Sequence, residues 1–454
     1  MSRYDPRRVA FDTLRAVAAS DAYANLLLPV EIARAGLDAK DAALATELTY
    51  GTLRRLGTYD AIIASAAGRS TDEIDEDVLD ALRLGAHQLL STRIASHAAV
   101  HETVALVRET IGAAPTGFVN AVLRRISRDT PGEWLARIEA AARSDDERLG
   151  LAYAHPVWVI RAFRRALVAE GRADELEDLL RADNASPRVS LAVLPGLADR
   201  PSELAPTRYS PVGALSAGGD PEPLIRASGG RIRVQDEGSQ LAALALSRAE
   251  PVSVGERWLD LCAGPGGKTA LLAAEALAGG ALLEANEIAP ARAGLVRQAL
   301  AGVPAEVSVS EEDGRSRAAH GRYDRILVDA PCTGLGALRR RPEARWRKSP
   351  QDVAALASLQ RELLESALDA LTPGGIVAYV TCSPHLAETS AVVAEVRERR
   401  GDEIEEIDAR AVLQDVANQP LDLPTPADGS GRAQLWPHRH GTDAMSISLL
   451  RRRA

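Results

Sequence analysis

The alternation of strand-like and helix-like segments after residue 250 constrains the fold of this chain more than any other feature. The strand candidates are RWLDLCA, ALLEANEI, AEVSVSE, YDRILVDA and GGIVAYVTC. Helical patterns such as KTALLAAEALA and ARAGLVRQALA separate most of them. This alternation predicts a doubly wound parallel sheet with crossover helices. Ligands of such sheets bind at the carboxyl ends of the strands, so we expect the functional residues to lie there.

The other regions follow different patterns. Residues 1 to about 130 keep helical apolar spacing, as in EDVLDALRLGAHQLL and GFVNAVLRRI. Between 140 and 235, helical stretches precede a strand candidate, VSLAVL, a loop from Asp199 to Pro223, and a strand that enters a helix from Arg231. A chain of 454 residues fits two or three domains. We predict an all-α domain over 1–135, a small α+β linking domain over 140–235 and an α/β Rossmann-like domain over 236–454.

Several function classes are disfavoured by composition. No apolar run approaches the roughly 20 residues of a membrane helix, and the N-terminal sequence lacks an apolar signal core. We therefore expect a cytoplasmic protein without a membrane partner. The cysteines Cys262, Cys332 and Cys382 are too scattered for a disulfide framework, and there is no CxxC. His438 and His440 have no further ligand nearby in sequence, so we predict no metal.

The glycine loop LDLCAGPGGKT, Leu259 to Thr269, indicates a cofactor site. Cys262 stands where a Walker A loop needs glycine, and Thr269 stands where a dinucleotide fingerprint needs it. Glu287 ends the next strand and is suited to the ribose hydroxyls of an adenosine-type cofactor, while Asp313 could accept from the adenine amino group. Because a helix N-terminus can receive a carboxylate, the pattern favours S-adenosylmethionine over a phosphate-bearing nucleotide. A ligand-free turn is the alternative.

Two cysteines end the fourth and fifth strand candidates: Cys332 in VDAPCTGLG and Cys382 in VTCS. We expect these strands to be neighbours, so that both thiols face one substrate. Methylation of carbon 5 of a pyrimidine needs a thiolate that adds to carbon 6, whereas most transfers to nitrogen or oxygen do not. Asp329 would bond the N3/N4 edge of cytosine. The chemistry leaves open which thiol attacks. Cys262 fits the alternative role of a small buried apolar residue.

A basic segment, LRRRPEARWRK, follows the first of these cysteine motifs. The net charge of −9 alone argues against nucleic acid, but one exposed basic loop can contact phosphates. A solvated helix cap is the alternative for the charges, and helix packing is the alternative to base stacking for the tryptophan. The predicted RNA-binding residues are Arg339, Arg340, Arg341, Arg345, Trp346, Arg347 and Lys348.

Taken together, these motifs resemble those of the bacterial Sun/Fmu-type RNA cytosine-5 methyltransferases. The residues that carry the resemblance are VQDEGSQL, LDLCAGPGGKT, DAPCTGLGALRRRPEARW and VTCS. The first 130 residues are similar to the NusB-like RNA-binding domain of that family, through LTYGTLRR, LRLGAHQLL, HAAVHETV and GFVNAVLRR. The resemblance spans nearly the whole chain.

The resemblance implies roles for individual residues. Cys382 would be the nucleophile, Cys332 would assist product release, and a cytosine in 16S ribosomal RNA would be the substrate. We expect the protein to be a monomer. The chain departs from the family at Gly264, where alanine is usual, and in the segments VSLAVLPGL and GTDAMSISLLRR. The predicted cofactor-binding residues are Cys262, Ala263, Gly264, Pro265, Gly266, Gly267, Lys268, Glu287, Arg292, Asp313 and Asp329.

The sequence is also compatible with three rival functions. In a DNA cytosine-5 methyltransferase the Pro-Cys cysteine attacks, which would give that role to Cys332. Transfer RNA as substrate would use identical chemistry. A non-catalytic NusB-like RNA-binding or antitermination factor would use the helical domain alone, although the intact cysteines and glycine loop argue against it.

Overall fold

The structure, a computed structural model, describes residues 5–20, 22–317 and 321–453. Internal contacts divide the chain into two units. The first comprises Met1–Arg161, Leu180–Ala185 and Leu338–Arg347, and the second comprises Ala162–Leu179, Ser186–Ala337 and Lys348–Ala454. The three predicted domain limits stay predictions, since this division recognises no separate linking domain.

The described residues of the first unit form helices joined by turns and loops, without a strand. Its core contains Phe11, Leu82, Leu123 and Trp134, which are all buried. Local signals set the helix starts: the Asp5 side chain caps a helix that begins at Pro6, and Thr130 forms a capping box. The prediction of helices over this region is confirmed. They span Pro6–Ala19, Ala24–Ala35, Ala39–Arg54, Leu56–Ala67, Glu76–Ser91, Ser96–Thr110, Thr116–Ile126, Pro131–Glu139, Asp145–Tyr153 and Ala344–Arg347.

A small antiparallel sheet opens the second unit. Its strands are β1 (Ser190–Val193), β2 (Gly213–Leu215) and β3 (Ile232–Val234), in the order β2-β1-β3. The predicted strand VSLAVL and the strand near Arg231 correspond to β1 and β3. The sequence did not predict β2, because three residues inside a loop rich in Pro, Gly and Ser show no alternation of their own. Pairing with β1 supplies their order.

The main sheet of the second unit is mixed. Its described strands are β4 (Arg257–Asp260), β5 (Leu282–Asn286), β6 (Ser308–Ser310), β7 (Tyr323–Asp329), β8 (Leu371–Thr381), β9 (Ile404–Ile407), β10 (Ala433–Gln434) and β11 (Ser446–Arg452). The order is β10-β11-β8-β7-β4-β5-β6, and β9 also pairs with β11. The strands β8-β7-β4-β5-β6 run parallel, so all five predicted strands and the predicted adjacency of the fourth and fifth are confirmed.

Helices cover both faces of this sheet. One apolar cluster joins the sheet to helices that include Leu244, Leu271 and Leu413, and a second joins it to helices that include Leu364 and Val393. This arrangement is the doubly wound architecture that the alternating pattern predicts. Val157–Val168 and Leu176–Asp183 contribute residues to both units. The remaining helices are Glu222–Ala227, Glu237–Ser247, Gly267–Gly279, Pro290–Leu300, Gly314–Arg317, Pro350–Ala370, Ser390–Arg400, Ala409–Val416 and Pro437–His440.

The altered C-terminal segment still forms a buried strand. β11 pairs antiparallel with β8 from Ser446 opposite Thr381, and Ile447 and Leu449 are fully buried. Just before it, the Ala444 amide donates to the Gly336 carbonyl at 2.8 Å. The departure from the family pattern therefore does not remove the final strand. Among the described residues, no helix is long and apolar enough to cross a membrane.

Candidate active site

The carboxyl ends of four parallel strands bring the predicted site residues to one edge of the sheet. In the strand registers, Asp260 lies opposite Leu327 and Asp329 lies opposite Val380. Backbone hydrogen bonds also join neighbouring segments just beyond the strand ends. The Ala263 amide donates to the Asn286 carbonyl, and the Ala330 amide donates to the Val380 carbonyl. The loops after β4, β5, β7 and β8 therefore leave the sheet side by side.

The glycine loop after β4 is shaped by backbone requirements. Gly266 has a φ of +101°, a region that favours glycine. A Cβ there would lie 2.6 Å from the Ala299 side chain. Gly267 then begins a 13-residue helix whose first turn has no side-chain cap among the described residues. The free amides of that turn suit an anionic group of a ligand. Ala263 is buried in the core beneath the loop, and Pro265 is exposed.

Asp260, at the end of β4, carries a buried acceptor that suits a cationic group. Its Oδ2 accepts from Thr269 Oγ1 at 2.7 Å, and its Oδ1 is buried without a hydrogen-bond partner in the described part of the chain. Burial raises the pKa of Asp260 to about 7, against the opposing hydrogen bond from Thr269. The amino-acid tail of S-adenosylmethionine has both an ammonium and a carboxylate, so Asp260 and the helix amides match it in charge.

Glu287 lies directly against the glycine loop. Its Oε2 accepts from the Gly264 amide at 3.0 Å, and its Oε1 accepts from the Ala289 amide at 3.1 Å. Arg292 donates to the Gly264 carbonyl at 2.6 Å and lies 3.6 Å from Glu287. Each carboxylate oxygen keeps a lone pair for a ribose hydroxyl. A Cβ on Gly264 would lie 2.2 Å from Glu287 Oε2, so glycine allows this close approach.

Two other predicted cofactor residues, Asp313 and Cys262, have partners within the protein. The Asp313 carboxylate accepts from the amide and guanidinium of Arg315, and these hydrogen bonds lower the pKa of Asp313. Any contact of Asp313 with adenine would share the carboxylate with Arg315. The Cys262 side chain packs against the apolar cluster around Leu259 and Leu261, as expected for a small apolar residue, and burial raises the pKa of its thiol.

Lys268 and Asp329 form an ion pair beside the cysteines. Lys268 Nζ lies 2.9 Å from Asp329 Oδ2, and the two side chains are 11% and 26% exposed. Burial lowers the pKa of Lys268, but the charge and hydrogen bond of Asp329, followed by the charge of Cys382, raise it above its ordinary value. Lys268 is therefore a fixed positive charge at this edge.

The two cysteines meet at the ends of β7 and β8. The Sγ atoms of Cys332 and Cys382 are 3.3 Å apart, and both residues are partly exposed. The hydrogen bond to Cys382 is the largest cause that raises the pKa of Cys332 well above its ordinary value, followed by burial and by the charge of Cys382. The two thiols are therefore coupled, because a negative charge on one of them opposes ionisation of the other.

A buried carboxylate that sequence reasoning missed connects the loops of the two cysteines. Glu388 accepts from Thr333, the residue after Cys332, and from Ser383, the residue after Cys382. All three residues are buried. The sequence signal was one acid in the stretch PHLAETSAVV after VTCS, which is too weak to interpret without the fold.

The basic segment is built largely into the helical unit. Arg345 is fully buried and donates to the carbonyls of Arg54 at 3.2 Å and Ala154 at 3.0 Å. It cannot contact RNA from this position, which corrects its predicted role. Burial lowers the pKa of Arg345 to about 10, so the side chain stays protonated at neutral pH. Arg339 is buried too, at 8% exposure.

The other predicted RNA-binding residues differ in exposure. Arg341 is exposed and stacks over the ring of Tyr23 at 5.0 Å. Arg347 donates to the Val17 carbonyl at 2.8 Å, and Trp346 is 37% exposed and lies against Gly57. Arg340 and Lys348 are half-buried. Arg341 is thus the guanidinium of the segment best suited to an external phosphate.

The two histidines considered for a metal have other partners. His438 Nε2 lies 2.8 Å from Glu175 Oε2, and the Trp436 amide donates to His440 Nδ1 at 2.9 Å. Burial lowers the pKa of His440 to about 4. Across residues 5–20, 22–317 and 321–453, no three or more His, Cys, Asp or Glu side chains are grouped to hold a metal ion.

This fold and this edge of the sheet define an S-adenosylmethionine-dependent methyltransferase. Comparisons with known proteins narrow the class. Residues 249–451 match the model of the family described as 16S rRNA methyltransferase RsmB/F, and residues 4–128 match the NusB family. The chain belongs to the RsmB/F family of 16S ribosomal RNA methyltransferases and carries a NusB domain before the methyltransferase domain.

Relatives support this membership along most of the chain. Rv1407 of Mycobacterium tuberculosis, a methyltransferase by name, is 49% identical over 99% of this chain and 97% of its own length. Ribosomal RNA small subunit methyltransferase B of Pseudomonas putida is 32% identical over 86% of this chain and 88% of its own length. The crystal structure of PH0851 shares the fold, with a TM-score of 0.80, 22% identity and coverage of 99% of both chains.

Proposed function

We propose that this chain methylates carbon 5 of a cytosine in RNA and that the RNA is 16S ribosomal RNA. The observation that carries the proposal is the pair of thiols, Cys332 and Cys382, 3.3 Å apart beside Lys268 and Asp329. A reaction at nitrogen or oxygen gives no role to two thiols, whereas carbon 5 of cytosine needs a covalent nucleophile. The names of relatives such as the Pseudomonas putida enzyme support ribosomal RNA as the substrate.

Residues of the glycine-loop edge hold the cofactor in this proposal. Asp260 and the first helix amides bind the amino-acid tail, and Glu287 binds the ribose. S-adenosylmethionine supplies an electrophilic methyl group, which carbon 5 accepts only after it has become nucleophilic. Lys268 keeps the charge of Asp329 in place at the boundary between cofactor and base.

Cys382 is the nucleophile. Its thiolate Sγ forms a bond to carbon 6, and the electron pair of the C5–C6 double bond moves to carbon 5. Asp329 stabilises the adduct by accepting hydrogen bonds from its N3/N4 edge. The raised pKa of Cys332, caused first by its hydrogen bond to Cys382, supports this order, because it favours a protonated Cys332 beside the attacking sulfur.

Cys332 acts in release. Once Cys382 is bound to carbon 6, its sulfur accepts a hydrogen bond only weakly and carries no negative charge. The first and third causes that raised the pKa of Cys332 are then removed, and burial remains. Cys332 then releases its own proton to solvent, and the resulting thiolate takes the proton from carbon 5. The electron pair of that C–H bond restores the C5–C6 double bond, and Sγ of Cys382 leaves as a thiolate.

Two variants test the order of the thiols. Incubation of Cys332→Ala with 16S rRNA and S-adenosylmethionine should give a protein–RNA adduct that survives denaturing electrophoresis, because attack proceeds and release does not. Cys382→Ala should give neither adduct nor 5-methylcytosine. The reverse pattern would contradict the proposal and indicate the order of a DNA cytosine-5 methyltransferase.

The choice of RNA is tested in cells. Bisulfite mapping of total RNA from a strain that lacks the protein should show the loss of 5-methylcytosine at one position of 16S rRNA, and the intact gene should restore it. A loss confined to transfer RNA would refute 16S rRNA as the substrate while leaving the cysteine chemistry intact.

A further inference from the structure

The buried carboxylate of Glu388 accepts hydrogen bonds from several side chains and one backbone amide. It lies in the short helix Leu386–Glu388 after β8 and is fully buried. Its Oε1 accepts from the Thr333 amide at 2.8 Å and from Gln360 Nε2 at 3.2 Å. Its Oε2 accepts from Thr333 Oγ1 at 2.5 Å and from Ser383 Oγ at 2.7 Å. One carboxylate thus receives four hydrogen bonds from neutral donors.

These donors belong to the two loops that carry the thiols. Thr333 directly follows Cys332 and Ser383 directly follows Cys382, so the carboxylate bridges the loops one residue beyond each thiol. Gln360 also donates to the Pro331 carbonyl at 2.8 Å, which holds the residue before Cys332. Tyr379 of β8 donates to the backbone carbonyl of Glu388 at 2.7 Å, which fixes Glu388 itself.

We propose that Glu388 is a positioning residue that sets the spacing of Cys332 and Cys382 by bridging their loops. This inference rests on the proposed function, because it gives the spacing a use in attack and release. A buried carboxylate with several hydrogen bonds is a rigid link, since losing any donor leaves charge unsatisfied. The hydroxyls of Thr333 and Ser383 also lie 3.2 Å apart, so both loops meet at this acid.

The spacing of the thiols can be measured without RNA. The azo compound diamide takes two electrons and two protons from two thiols, becomes the hydrazine and leaves a disulfide. Thiols held 3.3 Å apart should react quickly, because a disulfide needs an Sγ–Sγ distance of about 2.05 Å. Peptide mapping by mass spectrometry identifies the Cys332–Cys382 product and separates it from products of Cys262.

Glu388→Ala should slow formation of this disulfide at least tenfold. It should lower kcat on 16S rRNA roughly a hundredfold, with KM for RNA and Kd for S-adenosylmethionine changed less than threefold. Glu388→Gln should recover most of both rates, because an amide can accept from the Thr333 amide and donate to the hydroxyls. The matched control is Glu395→Gln, an acid on the next helix that pairs with Arg361 and Arg399 and should behave as wild type.

Several outcomes would overturn the proposal. A wild-type disulfide rate in Glu388→Ala would show that the bridge does not set the spacing. If Glu388→Ala fails to fold, Ser383→Ala removes the hydroxyl that links Glu388 to the Cys382 loop, together with its contacts to the His385 amide and Thr333. A disulfide rate within twofold of wild type in that variant would refute the bridge. If disulfide formation is slowed in Glu388→Ala while the wild type methylates no cytosine, the bridge is upheld and the proposed function is refuted.

Discussion

Two fully buried charged side chains, Arg345 in the helical unit and Asp260 at the end of β4, differ in how their charge is satisfied. The Arg345 guanidinium donates to the carbonyls of Arg54 and Ala154 and to the side chain of Asn184. Asp260 accepts from Thr269 through one oxygen, and its other oxygen has no partner in the described structure. Arg345 thus directs most of its donors to groups of the fold, although its Nε is also without a partner among the described residues, whereas the open acceptor of Asp260 lies beside the glycine loop.

The same burial has different consequences for the two groups. Burial lowers the pKa of Arg345 to about 10, which leaves it charged at neutral pH. Burial raises the pKa of Asp260 to about 7, so its charge changes within the physiological range. A buried charge whose partners are backbone groups indicates structure, and one whose acceptor is unmatched beside a glycine loop indicates binding.

The largest effect is expected for Arg345→Ala. Removal of the guanidinium leaves buried carbonyls without donors, which costs about 3–5 kcal/mol in the free energy of unfolding. Urea denaturation measures this loss, and Arg341→Ala in the same segment is the control. A variant that keeps its stability but loses RNA affinity would reverse the assignment of Arg345 to structure.

The second prediction concerns the stability of the cofactor-free protein as pH changes. The pKa of Asp260 is about 7 in the folded state, against 3.8 for an ordinary aspartate. Between these values the folded state binds more protons, so stability present at low pH is lost as pH rises through 7. From pH 5 to pH 8 the loss should be roughly 2 kcal/mol. Thermal denaturation measures it, and Asp260→Asn should remove this part of the slope. An unchanged slope in that variant would assign the pH dependence elsewhere.

The features that the sequence predicted depend on local conformation and strand order, whereas the features that it missed depend on tertiary contacts. The glycine loop was recognisable because Gly266 needs a backbone conformation that few other residues adopt. The neighbouring positions of Cys332 and Cys382 followed from strand order alone, since each lies just beyond a parallel strand. Local sequence carries this kind of information.

Tertiary contacts account for the parts that were missed. Whether an arginine faces solvent or backbone carbonyls depends on packing, so a basic run could not distinguish Arg345 from Arg341. Glu388 bonds to Thr333 from 55 residues away, and no local pattern encodes such a contact. The strand β2 likewise depends on its partner β1.

The third prediction concerns cofactor binding at the glycine loop, and the variant that tests it is Gly264→Ala. A Cβ at this position would lie 2.2 Å from Glu287 Oε2 and would force the carboxylate away from the loop amide. We expect a loss of about fivefold in affinity for S-adenosylmethionine, equivalent to about 1 kcal/mol. Calorimetry measures it, with Gly294→Ala as control because nothing lies within 4 Å of a Cβ there. Equal or tighter binding would mean that Glu287 reaches the ribose better when it is free of the loop.

The smallest effect is expected for Arg341→Ala. This variant tests whether Arg341, unlike Arg345 in the same basic segment, is dispensable for stability. Arg341 is exposed over Tyr23, so its removal should change the free energy of unfolding by less than about 0.5 kcal/mol. As a phosphate contact, it should weaken RNA binding two- to fourfold and reduce the salt dependence by about one ion. Filter binding at several salt concentrations measures both. A large loss of stability with unchanged RNA affinity would show that Arg341, like Arg345, stabilises the fold. The residues that bind RNA would then lie outside this segment.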